Sequence, residues 1–310
     1  MKRWAVMFPG QGAQYVGMGR GMYDAYEIAR ETFREADDAL GYDLSDVIFH
    51  GPDATIRDTE VQQPAILTVS VAIWRVLAHL RPNWVPELAM GLSLGEYSAY
   101  VAAGSMVFPD AVRLTRIRGR AMQDAVPKGT GGMMAVLGLT EDVVAALCLT
   151  SCEAGWVEPA NYNAPGQIVV SGLNAGIDMV EYLAREKGGR TVRLSVSAPF
   201  HSKLLEPASH IVEEALGKIT VHRGLFPVVA NVDGAYVTEP NDMVPRLVEQ
   251  VFRPVRFEQG VRHAIEEGVE GFIELGPGRS LTSLVKKIDR HVGVLPVEDP
   301  NGLARALELV

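Results

Sequence analysis

Cysteine is scarce in this chain: Cys148 and Cys152 are the only two. They stand four apart in a stretch that begins as a helix over 141–147, with no histidine close by. A zinc site therefore lacks ligands and a disulfide framework lacks partners, which leaves two buried free thiols as the better reading. Positive charge is short as well, with 29 Lys and Arg against 38 Asp and Glu, a net charge of −9. That balance argues against a nucleic-acid partner, whose phosphates call for a basic face. An acidic protein partner would need a local basic patch. No apolar run approaches the roughly 18 residues of a membrane span. The two basic residues and the five-residue apolar run that follows them before Pro9 are too little for a secretory signal. These absences point to a cytoplasmic protein without membrane attachment.

What is there is ordinary globular material, 47% hydrophobic and 22% charged over 310 residues, enough for one large domain or a large one with a smaller companion. The first 125 residues alternate short apolar runs with amphipathic stretches, and the pattern returns after residue 200 at 227–231, 271–275 and 292–295. Strand and helix in alternation predict an α/β fold with a parallel sheet. Between these halves the rhythm changes: strands at 133–139, 157–161, 167–171 and 191–196, a capped helix at 140–149 and a helix at 174–187. The order βαββαβ is the ferredoxin-like unit. The entry into it, 127–132, has the composition of a hinge or tight connection, and the exit is Ser197-Ala198-Pro199. The expected division is 1–127 with 198–310 as a large α/β subdomain and 128–197 as a small one, with a cleft between them.

Ser93 sits in Gly91-Leu92-Ser93-Leu94-Gly95, between the apolar Leu88-Ala89-Met90 and a helix-like stretch over 96–103. A G-x-S-x-G turn from strand to helix exposes a serine oxygen at a helix N-terminus, where free N–H groups favour an oxyanion. Trp4-Ala5-Val6-Met7-Phe8 reads as a buried strand followed by the loop Pro9-Gly10-Gln11-Gly12-Ala13-Gln14. A dinucleotide fingerprint fails there on spacing, because Tyr15 and Met22 occupy the third glycine positions. In hydrolase-like sites one oxyanion donor follows the serine and another comes from a separate loop; Leu94 and Gln11 could supply them. Seven histidines compete as base, and residue chemistry does not choose among them, although His79 and His291 read as structural. In the helix expected over 109–125, Arg113, Arg116 and Arg120 read as solvated.

Taken in order, Phe8 to Gln14, Gln62-Gln63-Pro64-Ala65, Gly91 to Glu96, Arg118-Gly119-Arg120-Ala121-Met122-Gln123, Asn161-Tyr162-Asn163-Ala164-Pro165-Gly166-Gln167, Pro199-Phe200-His201 and Gly276-Pro277-Gly278 carry a resemblance over nearly the whole chain. The sequence resembles the malonyl-CoA:acyl carrier protein transacylases, acyltransferases of fatty acid and polyketide synthesis. The resemblance implies that Ser93 is acylated, that His201 is its base, and that the main-chain carbonyl of Gln250 orients the imidazole; Asp233 and Glu249 stay open as the third member. It implies that Arg118 reaches the acyl group's free carboxylate through a planar fork that lysine cannot copy. It further implies that Gln11, Gln63 and Asn161 line the pocket and that Phe200 goes with malonyl rather than branched groups. Leu92 departs from the pattern, standing where a histidine usually precedes the serine, which bears on the shape and polarity of the acyl pocket.

The expected reaction passes a malonyl group from malonyl-CoA to the phosphopantetheine thiol of an acyl carrier protein, with no metal or redox cofactor. Lys187, Arg190, Arg193, Arg279, Lys286 and Lys287 are candidate basic residues for that acidic carrier. Three other readings share the elbow or the surface: a serine esterase or thioesterase, which has no need of Arg118; a non-catalytic carrier-binding subunit; and a trans-acting polyketide synthase acyltransferase.

Overall fold

Two sheets organise the chain, in a computed structural model that describes residues 2–196 and 198–310. The strands are β1 (Trp4–Phe8), β2 (Ala89–Gly91), β3 (Gly131–Leu137), β4 (Val157–Ala164), β5 (Gln167–Leu173), β6 (Arg190–Arg193), β7 (Val228–Val229), β8 (Tyr236–Val237), β9 (Gly271–Leu275) and β10 (Gly293–Val297). The first sheet has the order β10-β9-β1-β2-β7-β8, parallel except for the β7–β8 pair. Its central strand β1 is buried at all five positions, as a parallel strand covered on both faces requires. The second sheet has the order β4-β5-β3-β6 and is antiparallel throughout.

Alternation within the second sheet decides what each face meets. Met134, Val136, Ile168 and Val170 pack with Ile177 and Val144 of the helices Asn174–Glu186 and Glu141–Ser151. Met133, Ala135, Ala160 and Val169 join the main core. This is the period-two segregation of a sheet buried on both sides. The second sheet is also tied through backbone to the segment around Val255, since Tyr162 N–H donates to Val255 O at 2.9 Å and Val255 N–H to Ala160 O at 2.8 Å.

Several boundaries differ from expectation. Gly131 and Gly132 belong to β3 and not to the connection before it, because they pair with Leu173 and Gly172. The strand expected at 191–196 ends at Arg193, and Leu194 and Val196 line a cleft instead. The run 227–231 yields only Val228–Val229, since Asn231 leaves the sheet, and the two-residue β8 carries too little pattern to be foreseen. Thr140 does stand at the N-cap of Glu141–Ser151, but its side chain makes no capping bond. Ser197, the first residue of the expected exit, lies outside the described residues. Cys148 is buried and Cys152 partly so; both thiols are free.

The 22-residue helix Thr59–Leu80 is long and apolar enough to cross a membrane by length and composition, which the run-length reading did not anticipate. In this fold 78% of its most apolar window is buried inside the protein. It is the central core helix and carries the buried Gln62 and Gln63.

Candidate active site

Chemistry gathers at the carboxyl ends of β1, β2 and β7, the usual crevice of an open α/β sheet. Leaving β2, the chain turns at Ser93 into the helix Leu94–Ala102. The turn is tight: a Cβ on Gly91 would stand 2.0 Å from the Gly95 carbonyl carbon, and one on Gly95 would stand 2.0 Å from Phe8 O. Only glycine fits at either end, so the elbow spacing has a steric cause. Ser93 takes φ 55° and His201 φ 57°, and among the described residues they are the only non-glycine residues in the left-handed region. Strain of this kind costs about 1–3 kcal/mol per residue and persists where the surroundings enforce it.

The two strained residues meet. Ser93 Oγ lies 2.7 Å from His201 Nε2, and His201 Nδ1 lies 2.8 Å from the main-chain oxygen of Gln250. That carbonyl can only accept, so Nδ1 carries the proton and Nε2 presents a lone pair to the serine hydroxyl. Burial, and next the positive charge of Arg118, push the His201 imidazolium down to about 3. The neutral ring is the form present near pH 7, which a general base needs. His201 is also the only histidine buried in the core among the described residues. Asp233 and Glu249 do not complete a triad: they pair with Arg246 and Arg253.

Arg118 is fully buried on the inner face of the helix Phe108–Asp124, whereas Arg113 and Arg120 are exposed and Arg116 lies over Tyr42. Its Nη1 donates to Gln63 Oε1 at 2.8 Å, and its Nη2 to Ser93 Oγ at 3.0 Å and Gln250 Oε1 at 2.9 Å. Its Nε has no partner among the described residues, and Tyr97 lies under the guanidinium at 5.1 Å. The serine oxygen therefore gives its proton toward His201 while accepting from a cation, an arrangement that favours the alkoxide.

Two residues of this network carry no expected role. Asn231, just after β7, accepts from Ser93 N–H at 2.7 Å and donates to Gly91 O at 2.8 Å. Glu96, wholly buried, accepts on Oε2 from Asn231 N–H at 3.0 Å and Gln250 Nε2 at 2.6 Å. Burial raises the Glu96 carboxyl to about 7 against the lowering pull of those bonds and of Arg118. The spacing Ser93-x-x-Glu96 is a local signal, since it matches a capping box. The box is not formed here: Asn231 takes the Ser93 N–H and the Ser93 side chain makes no capping bond, which leaves Oγ for His201 and Arg118.

A cleft of about 430 Å³ opens onto Ser93 and His201 and is walled by Gln11, Leu92, Asn161, Phe200, Leu284 and Lys287 among others. Arg118, Gln63, Gln250 and Leu94 stand behind that wall. The N–H groups of Gln11 and Leu94 find no acceptor among the described residues. A larger groove of about 850 Å³ shares Gln11, Gly12, Leu194 and Val196 with the cleft but reaches neither Ser93 nor His201, so the smaller space holds the chemistry.

The six basic candidates separate. Lys287 lines the cleft and donates to Gln167 Oε1 at 2.6 Å. Lys286 is tied back to the carbonyls of Arg290 and Val292, and Arg193 is neutralised by Asp178 and Glu181. Arg190 lines a different depression, while Lys187 and Arg279 are exposed.

Comparison with known proteins agrees with this geometry. The acyl transferase domain family matches residues 6–298. A malonyl CoA-acyl carrier protein transacylase of Bacillus subtilis (strain 168) is 42% identical, covering 99% of this chain and 97% of that protein. The crystal structure of a malonyl CoA-acyl carrier protein transacylase from Clostridium perfringens superposes with a TM-score of 0.95 at 42% identity, over 99% of this chain and 96% of the other. A malonyl-transacylase solved in complex with a type II polyketide synthase acyl-carrier protein superposes with a TM-score of 0.97 at 38% identity, over the full length of both. With a family match running from β1 to the residue after β10, the chain belongs to the acyl transferase domain family.

Proposed function

We propose that this enzyme transfers a malonyl group from malonyl-CoA to the phosphopantetheine thiol of an acyl carrier protein through an acyl-Ser93 intermediate. The observation that carries the reading is the double engagement of Ser93 Oγ, with His201 Nε2 at 2.7 Å and Arg118 Nη2 at 3.0 Å. An esterase needs the first contact only. A buried guanidinium beside the nucleophile suits an acyl group that ends in a carboxylate, and it penalises a neutral one by leaving the cation uncompensated.

In the first step His201 takes the serine proton, Oγ forms a bond to the thioester carbonyl carbon, and the C–S bond breaks. The N–H groups of Gln11 and Leu94 hold the oxyanion. His201 returns its proton to the departing CoA sulfur. The second step reverses these events with the carrier thiol as attacker. Gln250 orients the imidazole, Gln63 steadies the guanidinium, and Asn161 and Phe200 shape the acyl pocket. Neither step needs a metal or a redox cofactor. Keeping water out of the cleft between the steps separates a transferase from a thioesterase.

The same reading treats the six-stranded sheet and its helices as a hydrolase-like subdomain, 1–127 with 198–310, and 128–197 as an inserted ferredoxin-like one. The strand order β4-β5-β3-β6 supports the latter. The relative solved with a polyketide carrier supports a polyketide carrier as the acceptor as well as one of fatty acid synthesis. Intact mass after mixing with malonyl-CoA tests the proposal: one malonyl adduct is expected, absent in Ser93→Ala. An adduct that persists in Ser93→Ala overturns it.

A further inference from the structure

Gln250 is held from three sides. Its Oε1 accepts from Arg118 Nη2 at 2.9 Å, while its Nε2 donates to Glu96 Oε2 at 2.6 Å and to Ser93 O at 2.9 Å. An amide turned the other way would set its hydrogens against the guanidinium, so the acceptors facing Nε2 decide which end Arg118 meets. Glu96 is the charged one of these acceptors. No carboxylate touches Arg118 among the described residues; the nearest link to a negative charge runs through this amide. Glu96 Oε1 accepts no well-formed hydrogen bond among the described residues, and the Tyr100 hydroxyl near this carboxylate can accept as well as donate, so the oxygen can take a proton.

We infer that Glu96 is a positioning and specificity residue: through the Gln250 amide it aims the Arg118 guanidinium, and its negative charge competes with the substrate's own carboxylate for that cation. The inference rests on the reading that Arg118 holds the acyl carboxylate.

The charge balance follows directly. With Glu96 ionised, its charge partly offsets Arg118 through the Gln250 amide, and a malonyl carboxylate arrives as a second buried anion, which is costly. Protonating Glu96 removes the competitor. Burial already holds this carboxyl at about 7, so the proton is available under ordinary conditions. A carboxylated acyl group should therefore bind with uptake of a proton, and a neutral one should not. The sign is fixed: raising the pH ionises Glu96 and weakens malonyl-CoA alone. The ionisable groups acting on Glu96 are Arg118, Asp233 after β7, and Tyr97 and Tyr100 on its own helix. Burial raises both tyrosines, so they stay neutral in the range that matters, and His201 is neutral there too. β1, β2 and β7 contain no ionisable residue, and Glu60, Arg75 and His79 of the helix Thr59–Leu80 are not among its buried ones.

The test compares KM and kcat for malonyl-CoA and acetyl-CoA between pH 6 and 9 in wild type and Glu96→Gln. In the wild type, KM for malonyl-CoA should climb by up to about tenfold per pH unit above neutrality while that for acetyl-CoA stays flat. Glu96→Gln, which keeps an oxygen for Asn231 and Gln250 but no charge, should flatten the malonyl KM profile. A purely structural role would instead shift both acyl groups alike and leave the profiles in place. The same pH slope in Glu96→Gln as in wild type overturns the inference. Should the variant fail to fold, calorimetry on the wild type with a thioether analogue of malonyl-CoA, in buffers of different ionisation enthalpy, decides: uptake rising toward one proton above pH 7 supports the inference and none overturns it. Arg118→Ala separates the two failures. If it slows malonyl and acetyl transfer equally, the Arg118 reading itself falls; if it acts on malonyl alone while Glu96→Gln keeps its slope, only the role of Glu96 falls.

Discussion

Glu96 and Glu274 are both buried carboxylates with no exposed surface, yet one stands beneath the cleft floor that Ser93 and His201 line, and the other under its rim at Leu281. Glu274, near the end of β9, accepts on Oε1 from Leu281 N–H at 3.0 Å and on Oε2 from Thr282 N–H at 2.7 Å and Thr282 Oγ at 2.6 Å. Both its oxygens face donors at the start of the helix Ser280–Ile288, where a negative charge is welcome. Glu96 uses one oxygen and leaves the other without a partner. Burial raises both carboxyls, but only at Glu96 can an amide replace the acid without setting hydrogens against a donor. The rim is built for anchorage and the floor for an adjustable charge. Substitutions should separate along that line.

The largest effect belongs to the floor. His201→Ala should slow acylation by roughly two or more orders of magnitude, the scale of a lost general base, measured by quenched-flow mass analysis of the acyl-enzyme. A near wild-type rate would move the base elsewhere. Arg118→Ala should cost malonyl transfer about 2–5 kcal/mol while improving relative use of acetyl-CoA, and Arg118→Lys should recover little because a point charge does not reproduce the fork. Competition between the two thioesters reads this out.

At the rim the expected effect is on stability. Glu274→Gln should destabilise the fold by about 1–3 kcal/mol in denaturant titration, through a buried donor left facing a donor, with acyl preference unchanged. Glu96→Gln should behave in the opposite way. The folded state raises this carboxyl from 4.5 to about 7, so its contribution is complete below about pH 4.5 and is lost as the pH rises through 7. The amide variant should thus gain on wild type between pH 5 and 8, by on the order of 3 kcal/mol. The smallest effect is expected at the mouth. Lys287→Glu should raise the carrier KM several-fold at low salt and spare acylation by malonyl-CoA, since steering is electrostatic and screened. Lys286→Glu should do less, because its ammonium is already committed to Arg290 O and Val292 O.

Legibility followed sequence distance. The elbow around Ser93 was readable because its causes are local: glycine at both ends and a strand before a helix. The alternation of strands and helices was readable for the same reason, and so was the βαββαβ order of the second sheet. Arg118 had a local signature too, since Ala111, Leu114, Ala121 and Met122 place it on the buried face of its helix. Glu96, Asn231 and Gln250 did not, because the bonds that bring them to Ser93 and to one another across the elbow join residues 135 to 157 positions apart. The one local hint, Ser93-x-x-Glu96, pointed to a helix cap that the fold replaces with Asn231. Among the basic candidates, exposure was foreseeable but commitment was not: Arg193 and Lys286 are tied by partners that only the tertiary fold supplies.

The left-handed backbones of Ser93 and His201 bear on how the protein would respond to selection. Glycine adopts such angles freely, and every other residue resists them. A library screened for thermal resistance alone would drift toward glycine at position 93, where little side chain is lost, whereas at position 201 the cavity left by a buried imidazole opposes the same change. Selection for function has to act against that drift at position 93, so heat tolerance and turnover in this fold are rivals at the level of a single backbone angle.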